Sequence, residues 1–351
     1  MENSLRIFAS LLALFLLSGC ETLAYYFQAV GGQLDILARA RPAAELVRDP
    51  ATPQALRERL EIARAIRDYA VSGLKLPDNA SYRNYADIGR PYAVWNVVAA
   101  PEFSREPLRS CFPVAGCVSC RGFFAQQDAE RHAAGLRAQG YDVHVQGVPA
   151  YSTLGHFDDP LLSTFILNSD TELARLIFHE LAHQVVYVKD DSTFNESFAV
   201  AVEREGVRRW LAATGREALM KEYLAREIRN KAFRAAIDQA QARLQALYRT
   251  RLAPEAMRLR KHAEFERLRL DVDGLGFRYR ALREANNAVL ASFATYAELV
   301  PTFERLLQEA SGDLEKFYAK VKALAEGGWR GFPPAPSIEP SNRGPLSKPS
   351  P

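Results

Sequence analysis

Apolar positions along this chain repeat mostly at helical spacing and alternate only in its middle part. Leu23, Phe27, Val30, Leu34 and Leu37 mark the apolar face of a helix over residues 22–47, and Leu56, Leu60, Ala63 and Ile66 that of a second over 53–73. Gly31-Gly32 and Arg41-Pro42 punctuate the first. Residues 92–99 read as a strand, 126–139 as a short helix, 141–148 as an alternating strand and 162–167 as one more. A helix capped by Ser169 or Asp170 follows, with Leu173, Leu176, Ile177, Leu181 and Val185 on its apolar flank, and another begins at Asn195-Glu196. Leu224, Ile228, Phe233, Ile237, Ala240, Leu244 and Leu247 then form a stripe that Leu252-Ala253-Pro254 breaks, so residues 257–270 return as the second arm of a helical hairpin. Residues 279–299 and 301–324 supply the last helices. The pattern predicts an α+β fold, mostly helical, with a small sheet before the central helix pair and a helical C-terminal half.

The ends of the chain read differently. Residues 7–17 form an apolar run too short to span a bilayer comfortably and of the length of a signal-peptide core. It closes on Leu17-Ser18-Gly19-Cys20, which resembles the bacterial lipobox and implies a signal peptide over 1–19, export to the periplasm and a lipid anchor on Cys20. Glu21, where an aspartate would signal retention in the inner membrane, points to the outer membrane. After Gly327 the sequence is proline-rich and aperiodic, a disordered tail over 328–351. One domain over 20–327 remains, in parts 20–168, 169–213 and 214–327. Its 48% hydrophobic and 25% charged residues are those of a globular protein, and a net charge of +3 gives no argument for nucleic acid. In an oxidising compartment Cys111 and Cys117 make the expected disulfide, leaving Cys120 free, while Cys117-x-x-Cys120 is the alternative as a metal site.

The chemistry concentrates in residues 171–209, which contain His179-Glu180-Leu181-Ala182-His183. Positions i and i+4 of a helix lie one above the other, so His179 and His183 can turn their imidazoles to one metal ion. Glu180 follows the first by about 100° of rotation, which sets its carboxylate beside the metal. Zinc, the expected ion, lowers the pKa of a water toward ~7, and a nearby carboxylate can take that proton and pass it to a leaving amine. A catalytic zinc needs a third protein ligand and an open position. Glu196 is the candidate.

Phe194-Asn195-Glu196-Ser197-Phe198-Ala199 resembles the second motif, N-E-G-F-A, of the gluzincin metallopeptidases. The resemblance implies a zincin-like metal helix with His179, His183 and Glu196 as zinc ligands and Glu180 as general base. Asn195 is left without a role. Glu203, two turns beyond Glu196, reads as part of the solvated run Glu203-Arg204-Glu205, with support of a ligand or capture of a substrate amine as alternatives. The whole chain also resembles a bacterial family of predicted zinc aminopeptidases. The lipobox, the Cys111/Cys117 loop with Arg121-Gly122-Phe123-Phe124, Tyr151-Ser152-Thr153-Leu154-Gly155, both metal motifs and Asn286-Asn287-Ala288 carry this likeness over most of 20–330. The chain departs from large alanyl-type aminopeptidases in the short spacing between His183 and Glu196 and in lacking G-x-M-E-N. Tyr151, Tyr296 and His156 are candidates to stabilise an oxyanion. These readings together predict a zinc-dependent peptidase, an aminopeptidase by resemblance. An envelope endopeptidase and a lipoprotein scaffold with a structural zinc are the alternatives. The expected partners are a peptide substrate and the membrane that holds Cys20; no protein partner is indicated.

Overall fold

The computed structural model describes residues 23–112, 116–277, 280–294 and 299–327. Cys20, Tyr296 and the tail 328–351 lie outside the described residues. Helix α1 covers residues 23–39 and stops short of the predicted 47, because Arg41–Pro42 form a short strand, β1, before helix α2 (Ala43–Arg48). Pro42 lacks the N–H that a continuing helix would use.

The face of α1 that packs inward is also not the predicted one. Ile36 is buried, and the Gln28 side chain brackets the backbone of the strand ahead, donating to Gly122 O at 3.4 Å and accepting from Phe124 N at 3.0 Å. Gly32 lies so close to Phe124 that a Cβ there would overlap the ring. Leu23, Phe27, Val30 and Leu34 consequently point outward, 56–69% exposed.

Helix α3 (Gln54–Ser72) buries Leu60, Ala63 and Ile66 as its periodicity predicts. Its buried Arg67 donates to Pro77 O, Asn79 O and Ser81 O at 2.8, 3.0 and 2.8 Å and so shapes the loop leading to strand β2 (Asn84–Ala86). Strand β3 (Val94–Pro101) follows, then the hairpin β4 (Ser110–Phe112) and β5 (Gly116–Val118), in which Cys111 opposes Cys117 and is bonded to it. Strand β6 (Arg121–Phe123), helix α4 (Gln126–Ala138) and strand β7 (Tyr141–Val148) complete an antiparallel sheet of order β6-β3-β7 that α4 covers with Ala129 and Ala133.

The strand expected at 162–167 shrinks to β8 (Leu161–Leu162), parallel to β2. Side chains and turns take the backbone groups beyond it. Ser163 Oγ accepts from Ile88 N at 3.1 Å, and Phe165 N and Ile166 N both turn back to Leu162 O at 3.2 and 3.1 Å.

Helices α5 (Asp170–Ala182) and α6 (Ser192–Ala213) pack against each other at the centre, with α3 against both. Helices α7 (Glu217–Tyr248) and α8 (Pro254–Gly274) form the predicted hairpin, with Pro254 in the first turn of the returning arm. Leu224 and Ile228, predicted for its stripe, are instead exposed, whereas Phe233, Ile237, Ala240 and Leu244 are buried. The helix expected over 279–299 divides into a 3-10 turn (Arg280–Glu284) and α9 (Asn287–Ala294). Helices α10 (Val300–Glu309) and α11 (Leu314–Glu326) close over α6, where Phe303 and Phe317 meet Phe194 and Phe198.

The break before α9 is where the hairpin is fastened to the sheet. Asn287 Nδ2 donates to Pro101 O and Glu102 O at 3.2 and 2.9 Å, its Oδ1 accepts from Tyr248 at 2.8 Å, and Asn286 donates to Val143 O at 3.2 Å. Asn287 is 1% exposed; if it were truncated the Tyr248 hydroxyl would lose its acceptor, while Pro101 O and Glu102 O would keep Ser104 N and Lys261 Nζ. Asn287→Ala is expected to cost about 1–3 kcal/mol in urea unfolding, the usual cost of a buried polar group that loses its partner. Unchanged stability would remove the clasp from this account.

Candidate metal centre

Helix α5 starts where the sequence places its cap: Ser169 Oγ accepts from Glu172 N at 3.4 Å. Asp170 in the first turn is held by Arg59 and Arg216 at 2.5 and 2.6 Å, which fixes this end of the helix against α3 and the start of α7. The other end coincides with the end of the motif. The helix closes at Ala182, and His183 is its cap residue with φ −60° and ψ −22°.

Side chains beyond the end supply the support that further helix turns would have given. Gln184 accepts from Asn79 Nδ2 at 2.7 Å and donates to Ser81 Oγ at 3.2 Å, which ties the residue after His183 to the loop shaped by Arg67. Asn195 has a role after all. It donates to Val188 O at 2.8 Å and accepts from Val188 N at 2.7 Å, closing the connection between α5 and α6 from within. Asp190 in that connection accepts from Cys117 N at 2.5 Å, and Arg109 donates to Asp190 O and Cys117 O at 2.9 Å, so the disulfide hairpin braces it from outside. Helix α6 begins at Ser192, earlier than predicted, because Asp191 caps it by accepting from Phe194 N at 2.8 Å.

This frame brings His179, His183 and Glu196 together. His179 Nε2 and His183 Nε2 are 3.3 Å apart, and the Glu196 carboxylate lies 3.2 Å from the first and 3.8 Å from the second. The three are the group of described residues able to hold a metal ion, with ligand atoms all within 4.8 Å of one another. Zinc bonds of about 2.0–2.1 Å in a tetrahedron put donor atoms about 3.3–3.4 Å apart, so two imidazoles and one carboxylate fit the ion in both spacing and chemistry.

Glu203 corrects the solvated reading. Its side chain is only 7% exposed and accepts from His179 Nδ1 at 2.9 Å and from Arg175 at 3.1 Å. Arg175 precedes His179 by one helical turn and Glu203 follows Glu196 by two, so one carboxylate bridges successive turns of α5 from the facing helix. With Nδ1–H given to Glu203, a neutral His179 ring presents its Nε2 lone pair to the ion. His183 Nδ1 is buried and has no hydrogen-bond partner among the described residues.

The electrostatics follow from this packing. Burial works against a charged His179, but hydrogen bonds to Glu196 and Glu203 outweigh it and raise its pKa, whereas burial lowers that of His183. Burial would raise the two ligand-side carboxyls; His179 and His183 hold Glu196 low instead, and Arg175 with His179 does so for Glu203. Glu180 belongs to the same electrostatic neighbourhood, with His179, Glu196 and Asp159 around it, and burial pushes its carboxyl up to about 7.

The remaining predicted residues are held by contacts of their own. Tyr151 gives its hydroxyl to Gln33 of α1 and sets its ring edge-on to Phe124. His156 lines an open cavity of about 400 Å³ with Leu37, Asn84 and Phe157. Cys120 is free, but burial pushes its thiol up to about 11, which disfavours a nucleophilic thiolate, and the bond between Cys111 and Cys117 removes Cys117-x-x-Cys120 as a metal pair. Sequence reasoning missed Tyr82, which is 2% exposed, has φ +62° and carries a buried hydroxyl without a partner among the described residues. It lines a small cavity with Tyr151 and Asp159 on the side of Glu180.

A family model described as "Putative aminopeptidase" matches residues 24–329, nearly all of the described chain. The chain belongs to that family. Comparison with curated proteins and with solved structures returns no match.

Glu203→Ala is expected to weaken the affinity of the candidate centre for added metal, tested with zinc, by about 10–100-fold, the usual effect of removing a ligand's hydrogen-bond partner, while Glu203→Gln retains part of the affinity. Competition against a chromophoric chelator measures this. Equal affinity in all three proteins would show that Glu203 does not orient His179.

Proposed function

We propose that this protein is a zinc-dependent peptidase and acts as an aminopeptidase. The observation that carries the reading is the convergence of His179, His183 and Glu196 at zinc spacing, with Glu180 beside them. The family description supports the choice of peptide as substrate and of the N-terminal residue as the site of cleavage.

His179, His183 and Glu196 would hold the ion. Zinc bound there supplies Lewis acidity, polarising a carbonyl and lowering the pKa of a water toward about 7. Glu203 fixes the ring of His179 so that its Nε2 stays directed inward. Glu180 takes a proton from the attacking water as the bond to the carbonyl carbon forms, and returns it to the nitrogen as the peptide bond breaks. Burial of Glu180 raises the basicity of its carboxylate, which suits a group that must take up a proton before passing it on. The apolar run before Leu17-Ser18-Gly19-Cys20 supports export to the periplasm with a lipid on Cys20. The substrates are then peptides of the envelope.

Glu180→Gln is expected to keep its zinc and lose hydrolysis by about 10²–10⁴-fold, the usual contribution of a positioned acid–base group. Metal content and turnover of an unblocked peptide, measured on one preparation, check both halves. Full turnover with zinc bound would exclude Glu180 as the base. Matched peptides with free and acetylated amino termini are expected to divide sharply, with only the free one cut. Preference for the blocked peptide would reassign the enzyme to the endopeptidases.

A further inference from the structure

Helix α1 carries two apolar faces, and the fold uses one. Tyr25, Gln28, Gly32 and Ile36 meet β6, Phe124 and the main core. Leu23, Phe27, Val30 and Leu34, spaced by four, three and four residues, stand 57, 69, 56 and 56% exposed along the opposite side. Single exposed apolar residues are ordinary; a continuous stripe of large ones on one helix face marks an interaction surface.

The geometry points to a lipid bilayer as its occupant: we propose that α1 lies flat in the membrane interface, with this stripe among the acyl chains. The inference goes beyond the peptidase reading and rests, for its tether, on the lipid anchor proposed there. Cys20 precedes Leu23 by three residues, a span of at most about 10 Å in extended chain. A lipid on Cys20 therefore delivers the start of the helix to headgroup depth, with the stripe beginning at its first described residue. Ala38, also exposed, continues the stripe one turn beyond Leu34 without placing a charge on it. Arg39 and Arg41 follow at the same end. Arg39 turns to the packed side, onto Asp35 and Asp87 O, whereas Arg41 stays 57% exposed in its pair with Asp49. No described helix is long and apolar enough to cross a membrane, and α1 carries Gln28, Gln33, Asp35 and Arg39 within its length. It can lie along a bilayer and cannot span one.

Tryptophan quenching in vesicles tests this with the full protein. Phe27→Trp, Leu34→Trp and, as a control on α8, Leu259→Trp, which is 75% exposed, are reconstituted into phosphatidylethanolamine–phosphatidylglycerol vesicles with brominated acyl chains. The signal of the parent chain, which has three tryptophans of its own, is subtracted. Emission at 27 and 34 is expected to shift to the blue and lose most of its intensity to the brominated lipid, while emission at 259 stays unchanged. Unquenched signals at 27 and 34 overturn the proposal and leave the face to water or a protein; equal quenching at all three positions overturns it as non-specific adsorption. Mass analysis of the N-terminal peptide from the same sample separates the two ideas. Quenching without a lipid on Cys20 sustains the docked helix and sinks the tether, and no quenching with the lipid present sinks the docked helix alone.

Discussion

One buried carboxylate, that of Glu203, sits between His179 and Arg175 at the interface of α5 and α6. Among the described residues Glu203 is the one acceptor of His179 Nδ1 and shares Arg175 with Glu172, so its bonds across the interface hold the two helices in one register. That register decides where Glu196 stands, because it lies on the same face of α6 two turns earlier. The distance of 3.2 Å from Glu196 to His179 is thus a consequence of how Glu203 is bound.

The connection between the helices must be short and rigid for this to work. His183 sits at the end of α5 rather than inside it, and the chain has only residues 183–191 in which to reverse. Asn195 closes the reversal from inside, the Cys111–Cys117 hairpin braces it through Asp190, and Gln184 ties it to the loop held by Arg67. The small sheets and the hairpin are therefore part of the support of the candidate metal centre as well as of the fold. Asn286 and Asn287, which connect the α7–α9 unit to β3 and β7, extend the same framework outward.

Much of the centre was legible because its spacing is local. His179, Glu180 and His183 fall on one helix, Ser169 announces where it begins, and Glu196 sits in a motif of its own. What escaped depends on which way a side chain turns. In Glu203-Arg204-Glu205 the last two residues do pair at the surface, Arg204 with Glu227 and Glu304, and Glu205 with Arg208 and Arg209. Glu203 is one step of helical rotation away from them and faces inward, a difference that charge pattern alone does not contain. Periodicity failed on α1 for a related reason: a helix apolar on two faces gives two stripes, and only Gly32 against Phe124 shows which one packs. Tyr82 and Asp159 come from loops brought together by the fold, and no local pattern marks them.

In the proposed enzyme two imidazoles and one carboxylate hold the zinc on which hydrolysis depends. Zinc-edge X-ray absorption on the purified protein tests it most directly. One zinc per chain is expected, with nitrogen and oxygen neighbours at about 2.0–2.1 Å and no sulfur. A sulfur shell at about 2.3 Å, or an active protein containing no metal, would contradict it.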